Sequence, residues 1–290
     1  MAKKLFVTKA IGDKESFSAA KLRRSMLDSG ASAEVINDVI RKIKTHAKPG
    51  VSTAEIHRLA FQLLKTANRT YAARYNLKKA IMQIGPDGFT FEQYFANLLE
   101  HQGFKTQTNV VVNGSCITHE VDIFAEKYKE NIHAAIEMKF HSKPGRKTRS
   151  KDALYTYARF LDIQKHWQFK KSRGAKPKKA TLQSWLVTNT EMTYNAINYC
   201  NCIGMKVIAW SYPEDGTSLQ GMIHNEALYP ITVLTSLNHK QKESILRKDI
   251  IMCFDLLKNK SILRFCGLKS GQINQCIQEV EELCGDYIKK

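Results

Sequence analysis

Two alternating runs constrain this chain more than any other feature. In residues 119–125 apolar Val121, Ile123 and Ala125 interleave with Glu120 and Asp122. That is the period of a half-buried strand, so Glu120 and Asp122 project from one face. Residues 132–140 form a second strand, on which Glu137 and Lys139 share a face. Two such strands side by side require a sheet with an apolar side packed on something else. They also bring Asp122, Glu137 and Lys139 to one place.

That trio has a clear chemical use. Two carboxylates hold a hard divalent cation such as Mg²⁺ or Mn²⁺ through oxygen. The metal neutralises a phosphate and lowers the pKa of a bound water. A lysine beside it orients that water or offsets developing charge. The expected outcome is hydrolysis of a phosphodiester. The flanking sequence supplies the rest of an α/β unit. Gly85 to Gly88 is turn chemistry and a natural boundary. Phe91, Tyr94, Phe95, Leu98 and Leu99 then recur at helical spacing up to Gly103. Residues 109–112 read as a strand. After the trio come a strand around Trp185, a helix over 193–203 and a strand over 206–210.

An Asp on one strand, then Glu-x-Lys on the next, after a helix carrying Glu92, resembles the PD-(D/E)XK nuclease core. It looks like the Mrr-type restriction endonuclease branch in particular. Val121 stands where the family name has proline. The resemblance covers about residues 86–230. It implies a restriction-endonuclease-like mixed sheet flanked by helices, with Asp122 and Glu137 as metal ligands, Lys139 at the attacking water and Glu92 assisting.

The first 85 residues read as a small hairpin followed by about four helices, over 19–29, 32–47, 53 onward and 71–84. Ser18 and either Ser52 or Thr53 are suitable caps. Val35, Val39, Ile40 and Ile43 form one apolar stripe. Two lysines, Lys9 at a strand end and Lys21 in the first helical turns, can reach one triphosphate together near a helix N-terminus. This segment resembles the ATP-cone. The matching residues are Val7-Thr8-Lys9, Gly12, Glu15, Phe17, Lys21, Val51 through His57, and Ala72-Ala73-Arg74-Tyr75. The resemblance implies that ATP or dATP is bound as a regulatory ligand, with Val7, Lys9, Glu15, Lys21 and Thr53 at the site. Ala10 and Ile11 replace the Arg and acidic residue usual after the lysine.

Charge points to the partner. The net +18 is split as +11 over 1–85, −5 over 86–138 and +12 over 139–179. An acidic block between two basic ones suits a metal-dependent enzyme acting on a polyanion. Lys143, Arg146, Lys147, Arg149 and Lys151 form a basic loop beside the trio, and 170–179 form a second. Such loops contact backbone phosphates and give affinity without reading sequence. Seven scattered cysteines without a CxxC pair argue against a disulfide framework or zinc ribbon. No apolar run is long enough to span a bilayer, so no membrane partner is expected and a cytoplasmic location fits. Residues 231–290 read as helices.

The expectation is therefore an α/β protein of three parts: an ATP-cone over 1–85, a nuclease domain over 86–230 and a helical C-terminal region over 231–290. It is a metal-dependent endodeoxyribonuclease acting on DNA, gated by ATP or dATP through a change of homo-oligomeric state, with a host-defence role implied by the family. Two alternatives are a nucleotide-sensing DNA-binding regulator with an inactive nuclease fold, and an RNA-directed nuclease.

Overall fold

The computed structural model describes residues 6–8, 14–47, 50–85, 88–175 and 179–288. They form an α/β protein with a mixed five-stranded sheet. The chain divides into two compact units. One comprises Met1–Ile81 with Ala227–Lys290, the other Met82–Glu226.

The first unit opens with β1 (Phe6–Thr8) and β2 (Lys14–Ser16), antiparallel with Val7 opposite Glu15. Three helices follow, each started by a serine: α1 (Ala19–Asp28) by Ser18, α2 (Ala33–His46) by Ser32 and α3 (Thr53–Ala67) by Ser52. Each hydroxyl accepts from an amide of the first turn that has no partner within the helix. At α3 the Glu55 carboxylate also accepts from the Ser52 amide, completing a capping box. Val39, Ile40 and Ile43 are buried as the stripe predicts, Ile36 joins them and Val35 is only partly covered.

The helix expected over 71–84 is two short ones, α4 (Arg69–Tyr75) and α5 (Leu77–Met82). Asn68 caps α4 by accepting from the Thr70 and Tyr71 amides, which moves the start upstream. Asn76 ends it; asparagine suits helix ends better than helix interiors.

The second unit begins with α6 (Phe89–His101), whose predicted apolar positions are all buried. Its sheet comprises β3 (Lys105–Asn113), β4 (Thr118–Lys127), β5 (Ile132–Lys139), β7 (Thr181–Thr188) and β9 (Lys206–Ile208), in that order across the sheet. β3, β4 and β5 are antiparallel neighbours; β5, β7 and β9 are parallel. The parallel pairs need crossovers, supplied by α7 (Ser150–Ser172) and α8 (Tyr194–Cys202). A separate two-stranded ladder joins β6 (Lys147–Thr148) to β8 (Glu191–Met192). α9 (Leu219–Glu226) closes the unit. On β5 every residue from His133 to Met138 is buried, because this central strand is covered on both faces.

The C-terminal segment carries α10 (His239–Leu246), α11 (Asp255–Lys258), α12 (Lys260–Phe265) and α13 (Ser270–Ile288). It is helical as read, and it packs with the N-terminal helices. The Thr232 hydroxyl donates to the Ala80 carbonyl at 2.8 Å, and the Thr70 hydroxyl to Glu282 at 3.0 Å. Among the described residues no helix is long and apolar enough to cross a membrane.

This unit contains a titratable lysine. Lys242 Nζ donates to the Thr232 carbonyl at 2.7 Å, and burial pushes its pKa from 10.5 down to about 8. Between those values the unfolded chain holds a proton that the folded chain has released, so stability rises with pH. At roughly 1.4 kcal/mol per unit, the wild type should gain about 3 kcal/mol over Lys242→Met across that window. Urea midpoints of both proteins at about pH 7.5 and pH 10 check this. A gap independent of pH would refute it.

Candidate active site

β4 and β5 pair from Lys127↔Ile132 up to Ile123↔Ile136 and then part. The next pair would be Asp122 with Glu137. Instead the Asp122 carboxylate turns in and accepts from the Met138 amide at 2.6 Å, where a ladder carbonyl would stand. On the other side, β5 stays paired to β7 as far as Lys139↔Thr188. The β3 ladder also loosens here. Asn109, the position opposite Asp122, has φ 52° and drops out of an otherwise continuous register; asparagine is among the residues that best tolerate this left-handed region. Asp122 and Glu137 thus meet where the sheet opens.

The two carboxylates have different surroundings. Glu137 Oε1 receives Lys139 Nζ at 2.6 Å, and Oε2 receives Arg159 Nη1 at 2.6 Å. The Glu137 side chain is only 9% exposed, so both cations act at short range in a low dielectric. Asp122 has no ion-pair partner among the described residues. Burial first, and the nearby Glu137 charge second, raise its pKa above the usual carboxylate range. The Met138 amide, Lys139 and Arg159 pull the other way and do not cancel this. Asp122, a half-buried carboxylate with no cation of its own beside a second carboxylate, is suited to a divalent cation. Among the described residues no cluster of three His, Cys, Asp or Glu completes a metal cage. Two carboxylates with the other positions left to water and phosphate oxygens are what Mg²⁺ ordinarily accepts.

Glu92 lies on the first turn of α6. Its Oε1 sits 3.2 Å from where a Cβ on Gly88 would stand, and that same point is 3.8 Å from Phe140 Cβ. This places Glu92 near the chain just beyond Lys139. Glu120 is exposed on β4. His119 bonds Asp162 of α7 at 2.8 Å, and Asp162 also accepts from the Cys116 and Ile117 amides. These bonds hold the Asp162 carboxyl well below its usual range and clamp the β3–β4 turn to α7.

Arg146, Lys147, Arg149 and Lys151 line one cavity of about 440 Å³, together with His141, Gly145, Asp152 and Thr193. Lys143 is exposed and does not line it. The rim is fixed through buried polar groups: His141 bonds Thr148, Thr148 donates to Thr188, and Asn189 both donates to and accepts from the His141 backbone.

Of the nucleotide-site candidates, Lys9 lies outside the described residues. The others gather around the hairpin. Glu15 pairs with Val7 across it and lies 3.8 Å from Lys21 Nζ. Thr8 bonds the Val51 carbonyl, which leads into Ser52 and Thr53 at the start of α3. Arg159 has no local signature in the sequence, because its link to Glu137 spans 22 positions.

Comparisons with known proteins add relatives. Residues 229–284 match the family described as AF1548-like, C-terminal. An uncharacterized protein of Archaeoglobus fulgidus is 36% identical over 191 residues, covering 66% of this chain and 99% of the relative. A crystal structure described as that of a protein of unknown function, AF1548, has a TM-score of 0.52 at 33% identity, covering 69% of this chain and all of the other.

Proposed function

The chain belongs to the AF1548-like family, and we propose that it is a Mg²⁺- or Mn²⁺-dependent endodeoxyribonuclease of the PD-(D/E)XK type. The observation that carries this reading is the meeting of Asp122, Glu137 and Lys139 where β4 and β5 part. Asp122 and Glu137 would hold the metal, which supplies charge neutralisation at the scissile phosphate and a more acidic water. Lys139 orients the attacking water and offsets charge on the phosphate as the phosphorus–oxygen bond breaks. Arg159 keeps the Glu137 carboxylate turned toward the site. Glu92 assists from α6.

We further propose that the N-terminal helices act as an ATP-cone. Val7, Glu15, Lys21 and Thr53 gather at the hairpin, and Lys9 completes the set by sequence. Binding of ATP or dATP there changes the homo-oligomeric state and so the rate of cleavage.

Plasmid DNA tests both statements. Nicking or linearisation is expected with Mg²⁺, and EDTA should abolish it. Absence of cleavage under every metal and nucleotide condition, on single-stranded as well as duplex DNA, would sink the nuclease reading. Mass photometry with saturating ATP or dATP tests regulation; unchanged mass together with unchanged rate would remove it.

A further inference from the structure

The basic cavity beside the trio has features that a solvated loop lacks. Two helices begin at it: Arg149 is the cap residue of α7 and Thr193 the cap residue of α8. The β6–β8 ladder holds these starts together, with the Thr193 amide bonded to the Thr148 carbonyl at 3.0 Å. The Thr193 hydroxyl makes no cap hydrogen bond, so the first amides of α8 have no side-chain cap. Four permanent cations line the cavity, and its one carboxylate, Asp152, accepts from the Arg149 amide. His141 lines the cavity as well, its ring held by the bond to Thr148, and burial lowers its pKa. At about 440 Å³ the cavity falls within the size range of small-molecule sites. Tyr194, the residue after Thr193, is 77% exposed, a free aromatic face of the kind on which bases stack.

We infer that this cavity is a phosphate-binding subsite for the DNA strand being cut, with Tyr194 against the base of the nucleotide it holds. Its wall begins at His141, two residues after Lys139, so it lies at most about 7 Å along the chain from that lysine. Phosphates along one strand of B-DNA recur every 3.4 Å of helix axis. The phosphate in the cavity is therefore close to the scissile one on the same strand. Two sources share this chemistry, an internal phosphodiester and a terminal phosphomonoester. The inference rests on the nuclease reading for its substrate, and its test does not depend on cleavage.

The test is fluorescence anisotropy in EDTA, with the full chain and oligonucleotides labelled at the 3′ end, bearing either a 5′-phosphate or a 5′-hydroxyl. Wild type is compared with Arg146→Ala/Arg149→Ala and with Lys105→Ala/Lys129→Ala, which removes two exposed cations elsewhere in the same unit. The cavity pair should weaken binding about tenfold and lower the salt slope by about two, with the control pair nearly silent. The Arg→Lys versions of the cavity pair should restore most of the affinity. A wild-type preference for the 5′-phosphate that the cavity pair abolishes assigns the terminal source. Equal losses on both oligonucleotides assign the internal one. Equal weakening by the two pairs, or none by the cavity pair at unchanged melting temperature, overturns the subsite. Wild type that binds through the cavity but never cuts with Mg²⁺ leaves the subsite standing and overturns the nuclease reading.

Discussion

Asp122→Asn will reduce Mg²⁺-dependent cleavage by about a thousandfold or more while leaving the protein at least as stable as wild type. The two halves of this result have one cause. Asparagine keeps the shape, and its carbonyl oxygen still accepts from the Met138 amide, so the opening between β4 and β5 persists. What disappears is the charge. In the metal-free protein that charge is a cost, because burial and Glu137 raise the Asp122 pKa. A carboxyl whose folded pKa exceeds its unfolded value favours the folded state when protonated, and this advantage fades as pH rises through the folded value. At neutral pH the ionised Asp122 therefore destabilises the fold, and its neutral amide does not. Thermal melts will place the variant at or above wild type in EDTA. Added Mg²⁺ will raise the wild-type melting temperature and leave the variant unmoved, because only a ligand bound by the folded state shifts the equilibrium. A variant that loses stability in EDTA, or cuts DNA at the wild-type rate, would refute the assignment. A residue that costs stability at rest and is indispensable in catalysis is the pattern of a site kept for function.

The parts of this site that were legible from sequence follow a period. Alternation put Asp122 on one strand and Glu137 with Lys139 on another, and the five predicted apolar positions of α6 are all buried. What was not legible depends on pairings without a period. That β4 and β5 separate at Asp122 is a property of the ladder. Its one local trace is Asn109, whose left-handed backbone resembles any turn asparagine in the sequence. The bonds from Asp162 to His119 and to the β3–β4 turn span more than 40 positions. The basic run at 143–151 reads as a loop; from Gly145 to Lys151 it contributes the wall of a cavity because β6 pairs with β8 more than 40 residues later. The C-terminal segment was readable as helices. Its packing against α4 and α5 runs through single bonds such as Thr232 to Ala80, for which a sequence has no marker.

Arg159→Met should show how the site is balanced. The guanidinium lies 2.6 Å from Glu137 Oε2 in a position 18% exposed, and Lys139 holds the other oxygen. Methionine preserves much of the aliphatic volume and removes the charge. One oxygen of a nearly buried carboxylate then loses its partner, and the Asp122–Glu137 repulsion loses one of the cations that offset it. Breaking a buried pair from one side costs about 3–5 kcal/mol when no other cation remains. With Lys139 still in place the cost should be about 1–3 kcal/mol, or roughly 3–10 °C in melting temperature for a unit of this size. Mg²⁺ should return part of the loss, because the variant presents two carboxylates with less competition from fixed cations. The Mg²⁺-induced rise in melting temperature will therefore be larger in Arg159→Met than in wild type. Cleavage should fall about ten- to a hundredfold, since Glu137 is now oriented from one side only. Lys139→Met separates the two cations: it should cost less stability, because Lys139 is the more exposed, and more activity, because it faces the water. If the two variants lose stability and activity in the same proportion, Arg159 and Lys139 are interchangeable charges and Arg159 is no positioning residue.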